Sequence, residues 1–213
     1  VTAMSLDLVE STRLMNLLGA ERFSEVLAEF HRRCAQILNG HGGALDDPQG
    51  DDGFMCYFGF PVAREDAASQ ALRAGLELID AVQTLGLSVR IGVCTGEVVV
   101  RDGQPVGPAT HFAARLQKIA APGTIVVSES TRRIVRERYR FQPLEHVPGL
   151  KGFDEPEDKR EALYRAIGPA QADATSGADT TDFAPRMTPF VGRRRELQAL
   201  EEHWAAAQAG ALQ

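Results

Sequence analysis

The sequence predicts an α+β domain with a mostly antiparallel central sheet flanked by helices. Two observations carry this. Strand-length apolar runs and helix-period stretches both recur, yet without the strict strand–helix alternation that marks a parallel α/β sheet. Asp102-Gly103 is a strong two-residue hairpin signal, which joins antiparallel neighbours.

The elements follow in order. Residues 1–8 read as a strand, after which Ser11 or Thr12 offers an N-cap for a helix starting near Arg13. Glu21 to Leu38 carries Phe23, Val26, Leu27, Phe30, Cys34, Ile37 and Leu38 at the three-and-four spacing of one buried face, and His41-Gly42-Gly43 ends it. Phe54 to Phe58 is a continuous apolar run suited to a central strand. A helix over Glu65–Gln83 puts Ala68, Ala71, Leu72, Gly75, Leu76, Ile79 and Val82 on one side. Leu87–Cys94 and Glu97–Arg101 read as strands separated by the Thr95-Gly96 turn. A helix over Ala109–Ala120 stops at Pro122-Gly123, and Thr124–Val127 is a strand. Ser128, Ser130 or Thr131 caps a short helix through Val135. Tyr139–His146 and Ala162–Ile167 supply the last strands.

With 213 residues, 44% hydrophobic, the chain holds one sizeable domain and an appendage. The boundaries are a domain over 1–168, a linker over 169–187 rich in Ala, Asp, Thr, Ser, Gly and Pro, and a helical segment over 188–213. Leu197, Leu200 and Trp204 share one face of that segment, which is too short to be a domain and reads as the leading edge of one. A net charge of −6 without a long basic run argues against a nucleic-acid partner. Cys34, Cys56 and Cys94, each inside an apolar stretch, read as buried free thiols. No stretch approaches ~18 uninterrupted apolar residues, and the N-terminal residues do not read as a charged-then-apolar leader, so the expectation is cytoplasmic with no membrane partner. The chain opens inside a strand-like run, Val1-Thr2-Ala3-Met4, and residues are expected upstream.

The chemistry-bearing residues sit at two strand ends. Asp7 closes the first apolar run, and Gly50-Asp51-Asp52-Gly53 opens the run from Phe54. Two carboxylates brought side by side hold divalent cations, and such cations organise a nucleoside triphosphate. If the two strands pair, the site is built from Asp7 with Asp51 or Asp52.

In order and spacing these segments resemble the class III nucleotidyl cyclase catalytic domain, from Val1 to about Gly168. The resemblance rests on Asp7-Leu8-Val9 with Ser11-Thr12, on Gly50-Asp51-Asp52-Gly53 through Tyr57-Phe58-Gly59-Phe60-Pro61, and on Arg90-Ile91-Gly92-Val93 with Thr95-Gly96-Glu97. Ala113-Ala114-Arg115-Leu116, Ala121-Pro122-Gly123-Thr124 with Val126-Val127-Ser128, and Leu150-Lys151-Gly152 complete it. Phe190-Val191-Gly192-Arg193 with Glu196-Leu197 looks like the entry to an ATPase module that follows such domains in bacterial regulators.

The resemblance implies a ferredoxin-like fold and the conversion of ATP to 3′,5′-cyclic AMP and pyrophosphate in signal transduction. The 3′-hydroxyl attacks the α-phosphate with two Mg or Mn ions at the site. It implies Asp7 and Asp52 as metal ligands, with the Leu8 carbonyl as a further oxygen. The register set by Tyr57 selects Asp52; counting from Gly42-Gly43 selects Asp51 instead. Arg115 would stabilise charge on the reacting phosphate, and Lys151 would contact the triphosphate. Ser11 and Thr12 fall in the phosphate-cradling turn. Active sites of this family are shared across a homodimer, and the hairpin at Arg101–Gln104 is short for a dimerisation arm.

Three residues depart from the family's pattern. His111 stands where an asparagine orients the ribose; it either donates a hydrogen bond or fills space. Pro48, or Asp47 in the other register, replaces a purine-reading lysine, while Gln104 holds the partner position and can bond a base without choosing adenine over guanine. Glu10 replaces a glycine in the phosphate turn, adding a side chain and a negative charge. These point to low or altered activity, and to an alternative: a degenerate cyclase domain that binds nucleotide or dimerises to regulate a downstream ATPase module.

Overall fold

Alternation along one strand organises the whole domain. In β1 (Thr2–Leu8), Met4, Leu6 and Leu8 turn to one side of the sheet, and Ala3, Ser5 and Asp7 to the other. The flanking strands obey the same rule. Phe54, Cys56 and Phe58 of β3 (Gly53–Phe58) join Met4 and Leu6 in one core, with Val89, Ile91 and Val93 of β4 (Val89–Thr95). Met55, Tyr57 and Cys94 join Ala3 in a second core on the opposite face. The computed structural model describes residues 1–46, 52–144 and 162–170.

The first face is covered by α2 (Ala20–Gly40), through Phe30, Cys34 and Leu38, and by α3 (Ala67–Gln83), through Ala71, Leu72, Leu78 and Val82. The second is covered by α4 (Pro108–Ile119), through Ala109, Ala113 and Leu116. Among the described residues the main sheet has seven strands in the order β2-β3-β1-β4-β7-β9-β8. The remaining members are β2 (Gly43–Leu45), β7 (Thr124–Ser128), β8 (Tyr139–Pro143) and β9 (Leu163–Pro169). Every pairing is antiparallel except β4 with β7. The predicted α+β class and mostly antiparallel sheet hold.

A separate ribbon pairs β5 (Val99–Arg101) with β6 (Gln104–Val106) across the expected turn. Asp102 at φ 50° and Gly103 at φ 81° take the two left-handed conformations that a tight hairpin of this kind requires. Ser128 caps α5 (Glu129–Val135) by accepting the N–H of Thr131, one of the three capping residues the sequence offered.

Some boundaries differ from the sequence reading. The strand β2 was not anticipated; the chain passes from the end of α2 through the Gly42 turn (φ 75°) straight into the sheet edge. Helix α3 begins at Ala67 rather than Glu65, with Asp66 as its flanking residue, and Ala74 and Leu78 are fully buried where Leu76 and Ile79 are only partly so. Strand β9 runs on to Pro169, because Gly168 and Pro169 pair with Arg140 and Tyr139. The first helix, α1, spans Ser11–Leu18, so neither Ser11 nor Thr12 is its cap. Glu10 holds the N-cap position in the left-handed region, without a side-chain capping bond. The proposed linker 169–187, apart from its first two positions, and the segment 188–213 lie outside the described residues, as do Asp47, Pro48, Asp51, His146 and Lys151.

The three cysteines are free and buried, as expected, and burial pushes the Cys34 and Cys56 thiols up to about 12. No described helix is long and apolar enough to cross a membrane.

Candidate active site

The site forms where β1 and β3 end together. Asp7 pairs with Gly53 across that antiparallel ladder, which brings Asp52 to the next position. The Leu8 N–H donates to the Asp52 carbonyl oxygen at 3.0 Å, so the strand pair continues to the metal-site candidates. The Ser11 hydroxyl, at the start of α1, donates to Oδ2 of Asp52. Two short stretches of backbone, residues 7–11 and the start of β3, therefore assemble Asp7, Leu8, Ser11 and Asp52.

The electrostatics show two anions forced together. The Asp7 carboxyl is held above its ordinary 3.8, first by burial and then by the negative charge of Asp52. A hydrogen bond from the Gln117 side chain and the positive charges of Arg90 and Lys118 act in the opposite direction. Arg90 is the register partner of Asp7 on β4, and its Nε is buried without a hydrogen bond. Gln117, on α4, is buried.

Helix α4 reaches this face because residue 92 is glycine. A Cβ there would lie 2.2 Å from the Ala113 carbonyl oxygen and 2.2 Å from the Gln117 nitrogen. The same helix turns His111 and Arg115, one turn apart, to solvent. These two are therefore separated from the Asp7–Asp52 pair of their own chain by the body of the helix. Gln104 is exposed at the end of β6, opposite Arg101, and Thr12 is exposed on α1. The structure thus groups Asp7, Leu8, Ser11 and Asp52, and leaves Thr12, Gln104, His111 and Arg115 on open surface.

Glu10 sits beside the site at φ 56°, and its carboxylate pairs with Arg13 at 2.9 Å in an exposed i,i+3 contact. The left-handed turn is therefore present where the sequence comparison expected glycine, with a side chain carried on it.

Two residues at this site escaped the sequence reading. Gln117 carried a faint signal: it is a polar residue beside Ala113, Leu116 and Ala120, on a helix face otherwise apolar. Arg90 was named only within the Arg90-Ile91-Gly92-Val93 motif and given no role, because its place opposite Asp7 depends on strand register.

Among the described residues no three His, Cys, Asp or Glu side chains cluster for a metal. The donor set still suits a hard divalent cation. Two crowded carboxylates, one of them disfavoured as an anion, match Mg or Mn, which bind through one or two carboxylates and complete their shell with phosphates and water.

Fold and carboxylate pair together describe a catalytic domain of the nucleotide-cyclizing type. Residues 1–162 match the family model described as the adenylate and guanylate cyclase catalytic domain. The chain belongs to that family. A bacterial relative is an uncharacterised protein of Rhizobium meliloti, 34% identical over 226 residues, covering 99% of this chain and 21% of that protein. An adenylate cyclase of Glutamicibacter nicotianae is 28% identical over 148 residues, covering 69% of this chain and 35% of its own length. The chain thus spans about a fifth and about a third of these relatives. Among solved structures, the adenylyl cyclase CyaB of P. aeruginosa superposes with a TM-score of 0.69 at 21% identity, covering 80% of this chain and 94% of its own, a likeness that carries the fold.

Proposed function

We propose that the protein converts ATP to 3′,5′-cyclic AMP and pyrophosphate, as a homodimer whose sites are completed by both subunits. The observation that carries this is the meeting of Asp7 and Asp52 at the end of the β1–β3 pair, with Arg115 of the same chain facing away from them. An arginine so placed serves a site on another subunit, not its own.

Asp7, Asp52 and the Leu8 carbonyl would hold the divalent ions, Mg or Mn. Those ions supply charge neutralisation on the phosphates and favour the 3′-oxygen as alkoxide. The chain's own side chains do the rest. Arg115 of one subunit stabilises charge building on the α-phosphate in the site of the other. His111, one turn before it, would orient the ribose. Gln104, exposed on the β5–β6 ribbon, would hydrogen-bond the base. Lys151 belongs to the same proposal as the triphosphate contact, and Asp51 as the alternative second carboxylate, though both lie outside the described residues. Thr12 is exposed one residue beyond Ser11, where the phosphates would enter.

ATP is chosen over GTP on the named activity of the Glutamicibacter relative, since the base-reading residues favour neither purine. A downstream ATPase module in the longer protein, read from Phe190–Leu197, and a cytoplasmic setting complete the proposal.

The alternative reading is a domain that binds nucleotide without turning it over. Glu10 favours it, because a carboxylate now stands on the left-handed turn beside the phosphate position.

One experiment separates the two. Purified protein is incubated with ATP or GTP and Mn²⁺ or Mg²⁺, beside Asp7→Ala and Arg115→Ala variants and an equimolar mixture of both. Each variant alone should be inactive. The mixture should regain about a quarter of wild-type activity, since a heterodimer has one intact composite site of two and half the dimers are heterodimers. Nucleotide binding without product supports the alternative, and a mixture that stays inactive overturns the shared-site arrangement.

A further inference from the structure

Each of the two carboxylates has a neutral polar side chain beside it from a different helix. Ser11, the first residue of α1, gives its hydroxyl to Oδ2 of Asp52. Gln117, near the end of α4 and buried, lies beside Asp7, where its side chain favours the carboxylate. The two helices reach the β1 end by different routes: α1 starts at Ser11, three residues beyond Leu8, whereas α4 lies across β1 and β4 on the face that carries Asp7.

We infer that Ser11 and Gln117 are positioning residues that orient Asp52 and Asp7 for a shared divalent cation, one donor to each carboxylate. The inference rests on the metal-site reading above. It gives Ser11 a different duty from the substrate contact expected from sequence. With its hydroxyl committed to Asp52, Ser11 acts on substrate through that carboxylate.

The physical argument concerns orientation. An aspartate on a strand end rotates about two bonds, and two anions left to themselves rotate apart. A donor on one oxygen of each fixes the plane of the carboxylate, leaving the other oxygen free for the cation. Such outer partners typically change metal affinity ~10–100-fold when removed. Neither donor carries charge, so each directs its carboxylate without competing with the cation. Arg90 and Lys118, the cations nearby, cannot take this role without opposing the metal.

The test is a calorimetric titration of Mn²⁺ alone into the full 213-residue chain. Ser11→Ala and Gln117→Met should each weaken Mn²⁺ binding by about tenfold or more. Ser11→Thr, which keeps the hydroxyl, should bind like the wild type. Circular dichroism in chelator checks that each variant is folded, and if Gln117→Met is not, the Ser11→Ala and Ser11→Thr pair decides for Ser11 while Gln117→Leu replaces it on α4. Wild-type affinity in folded Ser11→Ala and in the folded residue-117 variant overturns the inference. Asp7→Asn separates the two levels. Binding lost there but unchanged in Ser11→Ala defeats the positioning role alone, whereas no Mn²⁺ binding by the wild type defeats the metal site and this inference with it.

Discussion

Asp7 and Arg90 are register partners across the β1–β4 pair, and the arginine's positive charge is outweighed at Asp7 by burial and by the charge of Asp52. The domain therefore carries an unfavourable anion at its candidate site. The sign follows from linkage. With the folded Asp7 carboxyl raised above 3.8, the native state holds its proton more tightly than the unfolded chain, so stability is lost as pH rises through that interval. Asp7→Asn removes the charge. In chelator at neutral pH the variant should melt at a higher temperature than the wild type, a difference that shrinks as pH falls toward 3.8. Added Mg²⁺ should raise the wild-type melting temperature and leave the variant's unchanged, while cyclase activity falls on the order of 10²-fold or more. A variant that melts lower in chelator refutes the crowded-anion picture.

Gly92 sets how closely α4 approaches the sheet. In Gly92→Ala the new methyl would meet backbone on three sides, at 2.2 Å from the Ala113 oxygen, 2.2 Å from the Gln117 nitrogen and 2.8 Å from the Leu116 carbonyl carbon. None of these is a flexible side chain, so the helix must shift as a body. Overpacking of this kind costs ~1–3 kcal/mol or more. The expected result is a lower denaturation midpoint together with a loss of activity larger than the loss of folded protein, because Gln117 and Arg115 ride on the same helix. Unaltered stability would show that α4 sits further from β4 than described.

Much of this was legible in advance, and the reasons are local. Asp102-Gly103 demands two left-handed residues and so announces its own turn, and residues 1–8 read as a strand, as β1 is. Asp7, with Asp51 or Asp52, could be nominated because each borders an apolar run, and the family resemblance then selected Asp52. What the sequence hid depends on register. Arg90 faces Asp7 only because β1 and β4 pair at that offset, and Ser11 bonds Asp52 only because β3 begins at Gly53. The start of α1 was misplaced for a related reason. Ser11 is a good capping residue, but its hydroxyl is used across the chain, and a strained Glu10 turns the backbone instead.

That strain can be measured. Glu10 at φ 56° pays a steric penalty of ~1–2 kcal/mol that glycine avoids, and its exposed pair with Arg13 returns well under ~1 kcal/mol. Glu10→Gly should therefore stabilise the domain by ~1 kcal/mol and raise its melting temperature by ~2–4 °C. If the Glu10 carboxylate also repels the triphosphate, KM for nucleotide should fall in the same variant. Stability gained with KM unchanged would leave Glu10 as a purely structural departure.

The last prediction concerns the far end of the sheet. Glu129 opens α5 and accepts bonds from Arg132 at 2.7 Å and Arg133 at 2.9 Å, and Arg132 in turn lies 4.5 Å over the Tyr164 ring of β9. Hydrogen bonding to Arg132 is the main cause that holds the Glu129 carboxyl at about 2, below its ordinary 4.5. A depressed carboxylate stabilises the fold above its unfolded value and loses that contribution as pH falls from 4.5 toward about 2. Solvent reaches the guanidinium groups, with the Arg133 side chain 72% exposed, so the expected contribution is about 1 kcal/mol rather than the full amount the shift implies. Glu129→Gln should lower stability by that amount at pH 7 and match the wild type near pH 2. Denaturant midpoints across that range check it, and parallel curves for the two proteins would mean that the α5–β9 contact is held by the Arg132–Tyr164 stacking and the Ser128 cap instead.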